Sequence, residues 1–202
     1  MDILKQHLIA LQQIIEKSGE QLEGNCFYYH LSLHLAPELA AKQRNLLKVA
    51  SILPDSPSIM EIGFNAGHSM LLFLLQKPNA KCTIFDICDH AYVHPCFEYL
   101  KTAFPNAQLE LISGDSCITV PNYAAQQFDL VHVDGGHLEH VAASDMANAL
   151  RLCKQGGYII LDDTNDPLIA AIGKTYENNH AILIDPEFEQ TALYEHIVYR
   201  RT

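Results

Sequence analysis

The chain has 202 residues, enough for one domain with a full-sized core and short for two. Apolar residues make up 49% and charged residues 18%, which is the composition of a globular protein and not of a disordered one. Acidic residues outnumber basic ones 24 to 13, and the net charge of −11 argues against nucleic acid or an anionic membrane as the partner.

The longest uninterrupted apolar run is 70–75, six residues, where a membrane span needs about 20. Asp2 and Lys5 stand early with no apolar segment behind them, so no signal peptide is expected. The cysteines at 26, 82, 88, 96, 117 and 153 form no C-x-x-C pair, and several fall in apolar runs. Reduced, mostly buried thiols and a cytoplasmic location are expected.

Residues 2–17 place Ile3, Leu4, Leu8, Leu11, Ile14 and Ile15 on one helical face. The stretch 18–25 breaks that pattern with two glycines. Residues 37–53 read as helix again, with Leu39, Leu46, Leu47 and Ala50 on a common side, before Pro54 and Pro57 punctuate the chain. Strand-length apolar runs follow at 58–62, 82–87, 109–113, 128–133 and 158–161. Helical candidates at 67–76, 95–104 and 138–153 separate them. Such alternation predicts a parallel sheet with helices on both faces. A last helix at 167–177, with Asp166 as N-cap and Pro167 in its first turn, leads to runs at 181–184 and 191–200 that pair antiparallel. The expected fold is therefore α/β: a Rossmann-like, doubly wound, mostly parallel seven-stranded sheet with N-terminal helices and a C-terminal antiparallel hairpin. Residues 1–57 are expected as a helical extension, a lid or a homodimer contact, and 58–202 as the binding domain. The run Cys26-Phe27-Tyr28-Tyr29-His30 is aromatic enough to line a pocket, but packing in a core or a dimer contact is the commoner role of such a run, and it is not counted among the site residues.

In an open α/β sheet, ligands bind outside the carboxyl ends of the strands. The first strand ends E-I-G-F-N-A-G-H-S at 61–69. It is neither a phosphate-binding loop nor a G-x-G-x-x-G turn, which disfavours a nicotinamide-dependent oxidoreductase. An acid at Glu61 suits a cationic ligand better than a pyrophosphate. Asp86 ends the second strand, where a carboxylate can accept ribose hydroxyls. Asp115 ends the third, where it can accept an adenine amino group or simply form a turn. Asp134 and His137 end the fourth, and Asp162 and Asp163 end the fifth. Three converging carboxylates repel one another unless a cation sits among them, and hard oxygen donors suit Mg²⁺, Mn²⁺ or Ca²⁺. Helix capping or plain solvation remain open for the Asp162–Asp163 pair.

From about 58 to 164 these elements, in this order, resemble the class I S-adenosylmethionine-dependent methyltransferases, in particular the caffeoyl-CoA and catechol O-methyltransferase-like branch. The resemblance implies a methyltransferase that binds S-adenosyl-L-methionine. Glu61, Gly63, Phe64, Gly67 and Ser69 would line its methionine end, Asp86 its ribose, and Asp115 and Ser116 its adenine. Asp134 would lie near the methionine amino group and bind metal with Asp162 and Asp163. His137 stands where the family often places a lysine as general base, and Asp163 where it usually has Asn. An imidazole changes charge close to neutral pH, which suits that task. His132 is expected to be structural, and His140 is a weaker candidate base. The implied reaction is metal-assisted O-methylation of a small hydroxylated acceptor. Metal-independent methyl transfer and a non-catalytic cofactor-binding module are the alternatives.

Overall fold

A computed structural model describes residues 3–28, 36–123, 127–189 and 196–202. Helix α1 (Ile3–Ser18) buries Leu8, Leu11 and Ile15 and ends where the Ser18 hydroxyl donates to the Ile15 carbonyl. A 3-10 turn at Pro37–Leu39 then feeds α2 (Ala40–Ile52). From there strand and helix alternate: β1 (Ser58–Ile62), α3 (His68–Gln76), β2 (Lys81–Asp86), α4 (Val93–Ala103), β3 (Gln108–Ser113), α5 (Ser116–Asn122), β4 (Phe128–Val133), α6 (Glu139–Leu152), β5 (Cys153–Leu161), α7 (Pro167–Asn178), β6 (Ile182–Ile184) and β7 (Ile197–Arg201).

The sheet order is β3-β2-β1-β4-β5-β7-β6. Strands β1 to β5 run parallel, and β7 lies antiparallel between β5 and β6. The order reverses between β1 and β4, so the crevice above those two strands is where a ligand is expected. Successive strand residues face opposite sides, which is why each strand feeds two cores. Ile59, Leu130 and Ile160 pack toward the side of α1 to α4, and Met60, Val131 and Ile159 toward the side of α5 to α7. Residues of α1 and α2 thus share a core with the strands and with α3 and α4.

The expected architecture is the observed one, with local differences. Helix α5 was not expected: it is short, carries Pro121 inside it, and depends on the Asp115 side chain accepting from Cys117 N–H. Strand β5 begins at Cys153, with an irregular register against β4 between Phe128 and Leu130. Asp166 caps α7 by accepting from Leu168 N–H at 2.8 Å, as expected. Half of the expected strand at 191–200, as well as Tyr29 and His30, lies outside the described residues. All six cysteines are free thiols. No helix among the described residues is long and apolar enough to cross a membrane.

Candidate active site

A cavity of about 1040 Å³ opens at the carboxyl ends of β1, β2, β3 and β4. That volume is at the upper end for a ligand pocket, room for a nucleoside-sized cofactor and a small second molecule. Its walls include Gly63, Phe64, Ser69, Asp86, Asp115, Ser116, Asp134, His137 and Asp163, most of the residues expected there. Lys42, Tyr28 and His68 complete the wall on the side of the N-terminal segment.

The loop after β1 is shaped by backbone contacts. Gly63 has φ +87°, and a Cβ there would sit 1.8 Å from the Asp134 carbonyl oxygen. The ends of β1 and β4 therefore approach as closely as only glycine allows. Gly67, at φ +76°, starts α3 under the Phe64 ring in the same way. Gly63→Ala is expected to cost about 2–3 kcal/mol in urea denaturation, because overpacking and a left-handed backbone add.

Asp86 braces this loop from the next strand. Its Oδ2 accepts from Phe64 N–H and Asn65 N–H at 2.7 and 2.9 Å, and its Oδ1 from Cys88 N–H at 2.7 Å. A carboxylate has about four acceptor positions, so these three bonds leave about one, on a residue that also lines the cavity. Asp115 caps α5 through Oδ1, which accepts from Cys117 N–H at 2.8 Å, and it also lines the cavity. Beneath Ser116, Asp145 of α6 is fully buried, and burial pushes its carboxyl up to about 6 against the pull of the Ser116 hydroxyl. Its folded value lies above the unfolded 3.8, so the stability it confers is complete below pH 4 and fades as pH rises through 6. Relative to Asp145→Asn, the native protein is expected to lose up to about 3 kcal/mol between pH 4 and 7, readable by thermal melts across that range.

Below the Gly63 loop lies a chain of buried charge. Glu61 is fully buried; its Oε1 accepts from Ser69 Oγ at 2.5 Å and faces His132 Nδ1 at 2.9 Å. The other imidazole nitrogen is 3.7 Å from Asp162 Oδ2. Asp162 in turn holds the ammonium of Lys42, a residue of α2 that is only 7% exposed. Burial opposes protonation of His132, but the carboxylates of Asp162 and Glu61 outweigh it and push the imidazole up to about 10. Burial also opposes ionisation of Asp162, but Lys42 and His132 hold it well below the usual carboxylate range. Asp134 has no cation of its own: burial, with Asp162 alongside, pushes it up to about 8.

Asp163, with φ +57°, turns away from this chain and meets His137 Nε2 at 2.8 Å. The half-exposed imidazole is thereby fixed at the cavity wall by a carboxylate, the arrangement of an oriented general base.

Of the three residues expected as metal ligands, Asp134 and Asp162 stay together, and Asp163 turns to His137. The donor atoms that do converge, within 4.8 Å, belong to His132, Asp134 and Asp162. They fit a divalent ion poorly. The Asp162 oxygen is taken by Lys42. Glu61 also departs from its expected place, lying beneath the cavity and not on its wall. Lys42 went unnoticed in the sequence although a signal existed: it falls on the buried stripe Leu39-Lys42-Leu46-Val49, an apolar face where a lysine is out of place.

Comparison with known proteins bears on the family and the fold. The family model described as a methyltransferase domain matches residues 60–164. That is just over half of the chain, and the protein belongs to this methyltransferase family, whose cofactor is S-adenosylmethionine. Among solved structures, an O-methyltransferase from Bacillus cereus in complex with SAH is 17% identical, with TM-score 0.63 over 98% of this chain and 91% of that one. TrmN from Thermus thermophilus is 15% identical, TM-score 0.60, over 82% and 49%. An O-methyltransferase family protein from Burkholderia thailandensis is 13% identical, TM-score 0.54, over 79% and 56%. The chain thus spans about half the length of the last two. At these identities the likeness is one of fold. Comparison with curated proteins gives no significant match.

Proposed function

We propose that this methyltransferase transfers the methyl group of S-adenosylmethionine to a hydroxyl of a small acceptor. The His137–Asp163 pair carries the reading: an oriented base opens on the same cavity as the Gly63 loop. When bound, the cofactor supplies an electrophilic methyl on a sulfonium that leaves as a neutral thioether. Asp86 has an acceptor position free for the ribose, Asp115 and Ser116 stand where the adenine would lie, and Ser69 and Asp134 face the methionine end. His137 takes the hydroxyl proton as the new O–C bond forms, and Asp163 holds the resulting imidazolium. The net charge of −11 supports a small acceptor over nucleic acid or membrane. The divalent ion expected at Asp134, Asp162 and Asp163 has no part in this reading, because Lys42 already holds Asp162.

Calorimetry with S-adenosylhomocysteine, followed by labelled methyl transfer to a panel of phenols, alcohols, amines and bulk RNA, tests it. One cofactor per chain and label on hydroxyl acceptors are expected. Label confined to amines or RNA would overturn the acceptor class, and no cofactor binding would overturn the whole reading.

A further inference from the structure

We infer that the Lys42 ammonium is the built-in cation of this site, standing where the carboxylates at the ends of β4 and β5 would otherwise gather a divalent metal ion. Its catalytic sense rests on the methyl-transfer reading above, but its electrostatic content does not.

Three observations converge on it. Lys42 meets Asp162 with both side chains withdrawn from solvent, 9% and 0% exposed. The pairing is long-range, joining α2 to the end of β5, so it is a built contact and not a local accident of the chain. The helix that carries Lys42 is itself anchored: the Asn45 amide donates to the Glu189 carbonyl at 2.8 Å and meets His196 Nε2 at 2.9 Å. With the Lys42 ammonium in place, a cation already stands on the Asp162 carboxylate. A divalent ion would have to displace that ammonium or enter next to it, and the two repel.

Lys42 also lines the cavity, so an acceptor entering it meets an ammonium. An ammonium offers three N–H donors and a full positive charge, of which Asp162 uses one donor. The rest can steady a hydroxyl oxygen as His137 removes its proton. A metal ion chelates two neighbouring oxygens, but an ammonium does not require them. The acceptor class this favours is a molecule with a single ionisable hydroxyl, such as a simple phenol, with no need for a vicinal pair.

Mn²⁺ is the probe, read by its electron paramagnetic resonance signal and by melting temperature. The native protein is expected to take up no stoichiometric Mn²⁺ at millimolar metal, and chelator should leave its melting temperature and cofactor binding unchanged. Lys42→Met is expected to gain one Mn²⁺ per chain, at least about tenfold tighter than native, and to be stabilised by it. The Lys42→Met, Asp162→Asn double variant should lose that gain, and Lys42→Arg should never acquire it. One Mn²⁺ on the native chain that disappears with Asp162→Asn would overturn the inference, as would a folded Lys42→Met that binds none. Should Lys42→Met fail to fold, the native protein against Asp162→Asn decides. Cofactor binding by the native chain is measured in parallel: its loss defeats methyl transfer alone, whereas the Mn²⁺ result bears on Lys42 alone.

Discussion

Lys42→Met is expected to lower the free energy of unfolding by about 3–5 kcal/mol, measured by urea denaturation at neutral pH. The cause is the partner left behind. Asp162 is fully withdrawn from solvent, and without Lys42 it keeps the Asp163 N–H at 3.0 Å and a His132 that is itself shared with Glu61. Removing one member of a buried pair strands the other, and the desolvation cost is then uncompensated. The double variant Lys42→Met, Asp162→Asn should recover most of the loss, since neither charge remains. The exposed Arg44–Glu189 pair is the contrast. It is a two-pronged pair, with N to O at 2.7 and 2.8 Å, yet its side chains are 58% and 48% exposed. Arg44→Ala should cost less than about 1 kcal/mol. Equal losses at the two sites would contradict this account of burial.

His137→Gln is expected to reduce kcat about 10²–10⁴-fold, with KM and cofactor affinity within a few-fold of native. Glutamine keeps a donor toward Asp163 and roughly the same reach, so the wall of the cavity should hold its shape. What it lacks is the ability to accept the proton. Asp163→Asn acts one step removed: it leaves the imidazole but no longer stabilises its charged form. A smaller fall in kcat is expected. Initial-rate kinetics on the acceptor found by the labelling panel would read both. An unchanged kcat in His137→Gln would remove His137 from the mechanism and shift attention to His140, which lines the same cavity.

The sheet was legible because its signals are local. Apolar runs of strand length, Pro167 behind Asp166, and the change from helical to strand spacing after Pro57 each act within a few residues. The residues lining the cavity were legible for a related reason: strand ends recur at regular distances, and β1 to β5 bring Gly63, Asp86, Asp115 and Asp134 to one edge. What spacing does not encode is which charge meets which. Lys42 and Asp162 are far apart in sequence and pair only once α2 packs on the sheet, and Glu61 and His132 meet only once β1 and β4 lie side by side. Asp162 and Asp163 show the limit most clearly. They are neighbours in sequence, yet the positive φ of Asp163 sends one to Lys42 and the other to His137. Helix α5 escaped notice because seven residues containing a proline give no readable period.

The position of β7 bears on how the chain is made. Strand β6 has β7 as its neighbour in the sheet, and β7 is synthesised after it. During translation, β6 therefore waits with its hydrogen-bonding groups unpaired, and the outer edge of β5 waits with it. An open edge of this kind is a template for pairing with another chain. The final antiparallel insertion, not the parallel core, is the step at which a nascent molecule is most exposed to aggregation, and shortening the chain before Ile197 would make that exposure permanent.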